Sequence, residues 1–355
     1  MNRKNLEPDE WFRGKIDLSK LKDFQIARVT GVYKNSYTLR NKTNEVFAEM
    51  TGNLTYGVES SLDYPTVGDW VYAQFFNQNT LAIINEVIPR KTVLKRKMPG
   101  KKISYQLIAA NVDSAFIIQS LDWDFNIRRL ERYLAIIKEG GIQPIVLLSK
   151  SDLLSDEAID EKISNILTIM PDIKVIAFSN LNQHHLNQVN ESFISGKTYC
   201  LLGSSGVGKT TLLNQLIGNN SFKTQNVRKD GKGKHTTTNR QLIELANGAI
   251  IIDTPGMREI GLIGSQTGID NTFEDILSLS KHCRFNDCTH TKEKGCAILA
   301  ALNDGTLSRE RYQNYIKMKK ESAYYEMSYL EKRKKDKQLG KFYKSVMKDI
   351  LKKKR

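Results

Sequence analysis

Gly203-Ser204-Ser205-Gly206-Val207-Gly208-Lys209-Thr210 is the stretch that decides the fold of the central part of this chain. It matches the phosphate-binding loop G-x-x-x-x-G-K-[ST] at every fixed position. An apolar strand over residues 197–202 precedes it and a helix follows from Thr211, which is the context that the motif requires. We therefore expect the loop and Thr211 to bind nucleotide phosphates through backbone N–H groups and the helix N-terminus. Lys209 would neutralise the β- and γ-phosphates and the Thr210 hydroxyl would bind Mg²⁺, so both are also candidate catalytic residues.

The sequence around this loop predicts an α/β domain. Compact apolar runs alternate with stretches that have apolar residues at three- and four-residue spacing. The runs are residues 115–119, 144–148, 174–178, 198–202 and 249–252. Buried apolar strands that alternate with amphipathic helices indicate a parallel sheet covered on both faces.

The other nucleotide motifs stand in an unusual order. Asp253-Thr254-Pro255-Gly256 follows the loop, as the D-x-x-G of a GTPase does, whereas the base-reading motif 149–152 lies about fifty residues upstream of it. Asp253 ends an apolar strand and is expected to hold Mg²⁺ through water, while Gly256 would offer its amide to the γ-phosphate. The two halves of the domain are therefore exchanged in sequence.

Ser149-Lys150-Ser151-Asp152 is the candidate base-reading motif. The Asp152 carboxylate can accept paired hydrogen bonds from guanine N1 and N2, which adenine cannot supply, and the Lys150 stem would pack on the ring. Ser149 stands where the usual motif has Asn, which allows a weaker brace to the phosphate loop. Residues 177–180, after the next strand, are placed to supply the last base contact.

The segment between the loop and D-x-x-G predicts the switch. It contains His235-Thr236-Thr237-Thr238, and a threonine here, for which we take Thr237, would close over Mg²⁺ when triphosphate is bound. Met257 occupies the position that in many GTPases is a water-orienting glutamine, so intrinsic hydrolysis is expected to be slow. His235 is the internal candidate for positioning water; an exposed loop histidine is the alternative.

Residues from about 25 to 88 predict a small β-barrel. The expected strands are residues 26–33, 37–39, 46–50, 70–76 and 81–88. Short strands at this spacing favour the oligonucleotide-binding (OB) fold, and a generic barrel without a ligand is the alternative. Residues 89–102 form a basic connector, interpreted as a domain boundary that could also touch nucleic acid.

A cysteine cluster near the C-terminus predicts a metal site. Cys283, Cys288, His290 and Cys296 have the spacing C-x₄-C-x-H-x₅-C. A closed set of four such ligands is typical of structural Zn²⁺, with no position left for catalysis. His282 is an alternative ligand, and Cys200, in the strand before the phosphate loop, is interpreted as a core residue.

Charge is concentrated at the C-terminus. Of the net +15, residues 332–355 contribute +10, from twelve Lys or Arg against Asp336 and Asp349. Such a run favours nucleic-acid phosphate as partner, and a solvated helix face is the alternative. Leu339, Phe342, Val346 and Ile350 recur at helical steps, so the tail either packs on its own domain with lysines outward or folds only on RNA.

The first residues of the chain and its hydropathy indicate which cellular compartment to expect. Residues 1–11 are charged and lack the apolar core of a signal peptide. No apolar run approaches the ~20 residues that span a bilayer. With four cysteines and no secretory signal, we expect a reduced, cytoplasmic, monomeric protein that does not associate with membranes.

The order of the motifs, with G-x-H-T-T-T and the cysteine cluster, resembles the circularly permuted GTPases, and specifically the ribosome small-subunit-dependent GTPase A (RsgA) family. Gly68-Asp69-Trp70-Val71 and residues 108–113 also match, and the resemblance covers about residues 25–330. Ser149, a longer N-terminal lead and the basic tail depart from the family pattern.

The resemblance implies an all-β OB-fold RNA-binding barrel (25–98), a permuted α/β GTPase domain (99–268) and a mainly helical zinc-binding domain (269–330). An N-terminal extension (1–24) and a basic tail (331–355) are expected to flank them. The resemblance implies a GTP hydrolase that cycles between GTP and GDP and binds small-subunit rRNA. Such a protein acts in late assembly of the small ribosomal subunit, and the subunit stimulates its hydrolysis of GTP. The resemblance also points to His235. A nucleotide-gated RNA-binding checkpoint with incidental hydrolysis is the alternative function.

Overall fold

The structure is a computed structural model that describes residues 7–33, 36–41, 44–57, 60–97, 105–218, 240–253 and 266–327, together with Glu331, Arg333, Lys334 and Lys337. His235, Thr237, Gly256 and Met257 lie outside the described residues, as does most of the basic tail. The expectations for these residues therefore remain predictions.

The N-terminal part forms a closed barrel. Its strands are β1 (Gln25–Val32), β2 (Tyr37–Arg40), β3 (Glu45–Met50), β4 (Trp70–Phe76) and β5 (Leu81–Val87), with short helices α1 (Glu10–Arg13) and α2 (Gly52–Tyr56). The strands are paired in the order β1-β2-β3-β5-β4, and β4 pairs back to β1. Alternating side chains such as Val29, Leu39 and Ile84 are fully buried inside it. The predicted OB-type barrel is confirmed.

Part of the segment that we interpreted as a connector, residues 89–102, is one strand of a two-stranded sheet. The two strands are β6 (Val93–Lys97) and β7 (Tyr105–Ala110), which pair antiparallel. Leu94 is fully buried, and Lys95 forms an ion pair of 3.0 Å with Glu139. Pairing with β7 makes β6 a strand, and the three consecutive charged residues 95–97 hid it from a search for apolar alternation.

The central part is an α/β sheet. Its strands are β8 (Ser114–Ser120), β9 (Gln143–Ser149), β10 (Lys174–Ala177), β11 (Thr198–Gly203), β12 (Arg240–Glu244) and β13 (Ile250–Asp253). Its helices are α3 (Ile127–Glu139), α4 (Asp156–Ile169), α5 (Leu186–Glu191) and α6 (Lys209–Ile217). The strand order is β10-β9-β8-β11-β13-β12, parallel except for β12. A buried cluster lies on each face, which confirms the predicted doubly covered sheet.

The barrel and the central sheet are joined by backbone hydrogen bonds. β12 pairs antiparallel with the end of β1, where Gly31 faces Gln241 and Val32 faces Arg240. Nearby, Arg40 of β2 forms an ion pair of 2.9 Å with Glu244 of β12, and both side chains are mostly buried. The strands of the two parts therefore form one continuous sheet of eleven strands.

The C-terminal part is helical and packs on α3. Its helices are α7 (Gln266–Thr272), α8 (Glu274–Ser280), α9 (Ala297–Asp304) and α10 (Arg309–Glu326). Gly268 of α7 lies so close to α3 that an added Cβ would stand 2.2 Å from the Ala135 carbonyl oxygen. In the ranges given above, no helix is long and apolar enough to cross a membrane.

A buried charge network fixes these helices on α3. Arg311 of α10 donates to Glu131 of α3 at 2.6 Å and to both carboxylate oxygens of Asp275 at 2.7 Å. The Arg311 Nη2 also donates to the Thr272 carbonyl at 3.1 Å. Glu131 is fully buried and Arg311 is 7% exposed, so solvent screens this pair little, whereas the Asp275 side chain is 46% exposed.

Candidate nucleotide site and metal cluster

The phosphate loop connects β11 to α6 through backbone conformations that suit glycine. Gly206 and Gly208 have φ of 80° and 91°, a region that residues with a Cβ rarely adopt. A Cβ on Gly203 would lie 2.3 Å from the Ile118 carbonyl oxygen, so the loop can pass this close only with glycine. α6 begins without a side-chain cap from Gly208, which leaves the first N–H groups of the helix able to donate to an anion.

The lysine of the phosphate loop is hydrogen-bonded to backbone carbonyls of the same loop. The Lys209 ammonium donates to the Gly203 carbonyl at 2.7 Å and to the Ser204 carbonyl. The Ser204 hydroxyl oxygen is buried and has no hydrogen-bond partner among the described residues. Buried hydroxyls are normally hydrogen-bonded, so these residues fit a polar ligand such as nucleotide phosphate.

Ser149 ties the base-reading motif to the phosphate loop. It ends β9, is fully buried, and donates its hydroxyl to the Val207 carbonyl at 2.7 Å. The Gln119 carbonyl lies 3.3 Å from the same oxygen. From the sequence, Ser149 in place of Asn allowed a weaker link between the two motifs. In the structure its hydroxyl makes a hydrogen bond of ordinary length to the phosphate loop.

Asp152 lies in the turn after β9, beside the segment that follows β10. The preceding Lys150 has a left-handed φ of 61°, and Ser151–Leu153 form one turn of 3₁₀ helix. The buried Ser179 hydroxyl donates to one Asp152 carboxylate oxygen, which orients it. The Asn180 amide lies 3.4 Å from the Gly208 carbonyl. The predicted last base segment is thus brought against both the base motif and the phosphate loop.

Asp122 is a site residue that no sequence motif indicated. Its carboxylate accepts from the Lys150 ammonium at 2.7 Å, from the Ser120 hydroxyl at 2.7 Å and from the Asp124 N–H at 3.0 Å. Burial acts to raise the pKa of Asp122, but the hydrogen bonds from Lys150 and Ser120 outweigh it and lower the pKa. The sequence signal that could have identified Asp122 is its position just after β8, the strand that pairs with β9. Asp122 holds the lysine of the base motif.

Asp253 is placed at the phosphate loop by the sheet. It ends β13, which runs parallel to β11 and beside it. Burial raises the pKa of Asp253, and the charge of Lys209 opposes that shift. A carboxylate here and the Thr210 hydroxyl are hard oxygen donors of the kind that Mg²⁺ prefers.

The described residues contain a cluster that could hold a metal ion. The ligand atoms of Cys283, Cys288, His290 and Cys296 all lie within 4.8 Å of one another. The Cys283 sulfur is 3.9 Å from the Cys296 sulfur, and the His290 Nδ1 is 3.5 and 3.6 Å from these two sulfurs. Tetrahedral bonds of about 2.3 Å to sulfur and about 2.0 Å to nitrogen give edges of about 3.5–3.8 Å, which the three distances among Cys283, His290 and Cys296 match closely, so the cluster could hold one small ion. The cluster does not include His282.

Neighbouring groups hold the cluster in place. Cys296 is the N-cap of α9, and its sulfur accepts from the Leu299 N–H at 3.5 Å. Burial acts to raise the pKa of the Cys283 thiol, but N–H groups of the first turn of α9 outweigh it and lower the pKa. The Tyr312 hydroxyl of α10 donates to the His290 carbonyl at 2.6 Å. The cluster is therefore anchored to the helices that pack on α3.

Comparisons with known proteins agree with this architecture. The sequence profile of the RsgA GTPase family matches residues 87–263. Small ribosomal subunit biogenesis GTPase RsgA 2 of Vibrio vulnificus (strain CMCP6) is 38% identical over 340 residues, which cover 96% of this chain and 93% of that protein. Small ribosomal subunit biogenesis GTPase RsgA 1 of Bacteroides thetaiotaomicron is 39% identical over 343 residues, covering 96% and 95%.

Solved structures show the same fold at lower identity. The crystal structure of YjeQ from Thermotoga maritima is 21% identical with a TM-score of 0.62, covering 84% of this chain and 99% of that one. The crystal structure of YloQ, a circularly permuted GTPase, is 22% identical with a TM-score of 0.61, covering 84% and 95%. The likeness confirms the predicted combination of barrel, permuted nucleotide domain and helical C-terminal part.

Proposed function

This chain belongs to the RsgA GTPase family of GTP hydrolases, and from that premise we propose that it acts in late assembly of the small ribosomal subunit, which stimulates its hydrolysis of GTP. The names of the relatives support the role in subunit assembly, and the observation that carries the nucleotide site is the hydrogen bond from Ser149 to Val207. It joins a base-reading motif to a phosphate loop that comes later in the sequence, and both lie at the carboxyl edge of one parallel sheet, where such sheets bind nucleotides.

We assign roles to the site residues on this basis. The loop from Gly203 to Thr211 binds the phosphates, with Lys209 neutralising their charge, and Thr210 and Asp253 hold Mg²⁺. Ser149, Lys150 and Asp152 read guanine. Thr237 and Gly256 sense the γ-phosphate, and His235 positions the attacking water. When bound, Mg²⁺ would neutralise charge on the β- and γ-phosphates.

Subunit dependence is the direct test of this function. GTP turnover should be slow for the free protein, because Met257 cannot orient water, and should rise at least about tenfold when purified small subunits are added. The measurement is phosphate release at fixed salt with small subunits, with large subunits and with neither. A rate that small subunits leave unchanged would reject the proposal in favour of the nucleotide-gated RNA-binding checkpoint.

Changing His235 to Ala should separate binding from catalysis. We expect GTP binding to stay nearly intact while subunit-stimulated turnover falls at least about tenfold, or about 1.4 kcal/mol. The exposed His184, which lies in the nucleotide domain and outside the residues given roles above, provides the matched control His184→Ala. Equal stimulated rates for His235→Ala and the unchanged protein would show that His235 is an ordinary loop histidine.

We also propose that the cysteine cluster binds one structural Zn²⁺. Three thiolates and an imidazole are the donor set that Zn²⁺ prefers, and all four positions are filled by protein. Elemental analysis should find about one zinc per chain, which Cys288→Ala loses. Cys200→Ala is the matched control, because the Cys200 thiol is buried in the core and outside the cluster. Zinc retained by Cys288→Ala would contradict the assignment.

The rRNA-binding surfaces in this proposal are the barrel (25–98), the zinc domain (269–330) and the basic tail (331–355). We propose that the protein works as a cytoplasmic monomer and is released from the subunit after hydrolysis. Charge supports this assignment, since residues 332–355 alone carry +10. Affinity for the subunit should therefore fall steeply as salt rises, as expected where lysines displace counterions from phosphate.

A further inference from the structure

The guanine ring has hydrogen-bonding atoms that Asp152 does not serve. The Asp152 carboxylate only accepts, and it is assigned to the N1 and N2 donors. O6 and N7, on the neighbouring edge of the ring, are acceptors. A full set of hydrogen bonds to the base therefore requires donors from other residues.

The Ser149 hydroxyl has no hydrogen to give to the base. A serine side chain has one O–H, and here it donates to the Val207 carbonyl at 2.7 Å. The Gln119 carbonyl lies 3.3 Å from the same oxygen, and Ser149 is fully buried, so two carbonyl acceptors surround that one hydrogen. An asparagine, which the usual motif has at this position, carries two N–H donors and could serve the phosphate loop and the base together.

Asn180 lies between the base-reading motif and the phosphate loop. On one side, the hydroxyl of the neighbouring Ser179 donates to the Asp152 carboxylate. On the other side, a Cβ on Gly208 of the phosphate loop would stand 2.6 Å from the Asn180 side-chain nitrogen. The atoms along the guanine edge follow the order N2, N1, O6 and N7, so a group between Asp152 and the phosphate loop faces the O6 and N7 part of the ring.

The side-chain amide of Asn180 makes only one hydrogen bond within the described residues, and that bond is long. Its nitrogen is 3.4 Å from the Gly208 carbonyl oxygen, beyond the ordinary range of about 2.7–3.2 Å. The reverse orientation would place two carbonyl oxygens together, so the nitrogen is the atom that faces Gly208. The Gln215 amide donates to the Asn180 backbone carbonyl at 2.9 Å, which fixes the residue in place. Asn180 is partly exposed, so a ligand can reach it.

We propose that the Asn180 side-chain amide donates to guanine N7, an assignment that rests on the proposed reading of guanine by Asp152. The bonds to Gly208 and to N7 use different hydrogens of one nitrogen, so both can exist together. Ser149 then links the base-reading motif to the phosphate loop, while Asn180 supplies the donor to the base. Two functions that a single asparagine could perform are divided between two residues of this chain.

7-Deaza-GTP, in which a C–H group replaces N7, tests this contact. Equilibrium titrations should show that the unchanged protein binds GTP about five- to tenfold more tightly than 7-deaza-GTP, the effect of one net hydrogen bond. Asn180→Ala should bind GTP and 7-deaza-GTP equally, within about twofold, and should keep the affinity of the unchanged protein for 7-deaza-GTP. The matched control is Asn187→Ala, an exposed position in α5, which should keep the preference for GTP.

Three results would overturn the proposal. The first is Asn180→Ala with the same preference for GTP over 7-deaza-GTP as the unchanged protein, since another group would then donate to N7. The second is an unchanged protein that binds the two nucleotides equally. The third is a parallel loss of affinity for both in Asn180→Ala, which indicates damage to the phosphate loop. Asp152→Asn tests the reading of guanine separately, because xanthosine triphosphate and GTP both carry N7.

Discussion

Replacing Arg311 with Ala is expected to lower the free energy of unfolding by about 3 kcal/mol, at the low end for breaking a buried ion pair, because Arg128 and Asn314 remain as partners of Glu131. The guanidinium links Glu131 of α3 to Asp275 and the Thr272 carbonyl, and its loss would leave the Glu131 carboxylate buried with less compensation. It also removes a cation–π contact, since the guanidinium carbon lies 4.7 Å from the centroid of the Phe273 ring. Denaturant unfolding followed by circular dichroism measures the change.

Arg132→Ala is the matched control for this prediction. Arg132 also joins α3 to α10, through an ion pair of 3.0 Å with Glu321, but the two side chains are 28% and 29% exposed. Exposed pairs contribute about 0–1 kcal/mol, so this variant should be nearly neutral. Equal losses in the two variants would mean that burial of the Arg311 network has no special effect on stability.

Replacing Asp152 with Asn should weaken GTP binding on the order of 10²–10³-fold, owing to loss of two charge-assisted hydrogen bonds to guanine N1 and N2. The Asn amide can donate where the carboxylate only accepts. Xanthine carries an oxygen at C2 in place of the guanine amino group, so xanthosine triphosphate should bind the variant better than GTP does. Competition titrations with GTP, xanthosine triphosphate and ATP measure this exchange of preference.

Asp156→Asn controls for the loss of a negative charge near the site. Asp156 is exposed in the first turn of α4, four residues beyond Asp152, and should have no effect on base preference. The role assigned to Asp152 would be wrong if Asp152→Asn kept the GTP preference of the unchanged protein. A variant that lost affinity for all three nucleotides would also contradict it, since that outcome indicates damage to the phosphate loop.

Local patterns were sufficient to predict much of this architecture. The glycine and lysine spacing of residues 203–210 identified the phosphate loop, because each fixed position answers a local steric or electrostatic need. The cysteine spacing identified the metal cluster for the same reason. Apolar runs predicted the strands of the central sheet other than β12, since burial on two faces leaves a continuous hydrophobic signature. Short strands at close spacing predicted the barrel.

Features that depend on long-range contact could not be predicted in this way. Glu131 and Arg311 each look like surface charges, and only their meeting across 180 positions explains their burial. Ser149 looked like a weakened motif residue until its hydroxyl was seen to reach Val207. Asp122 belongs to no motif and acts through Lys150. In each case the two partners are brought together only by the fold, so no periodic pattern in the sequence indicates their contact.

The shared strand β1 has a consequence for how the protein is made. Its first half closes the barrel against β4, and its last residues pair with β12, which lies more than two hundred positions later. A ribosome synthesising this chain at roughly 5–20 residues per second completes the barrel well before β12 emerges. The barrel therefore exists first, and the end of β1 waits as a template onto which the last two strands of the nucleotide sheet assemble. The hairpin of β12 and β13 thus completes the eleven-stranded sheet before the C-terminal helices are synthesised.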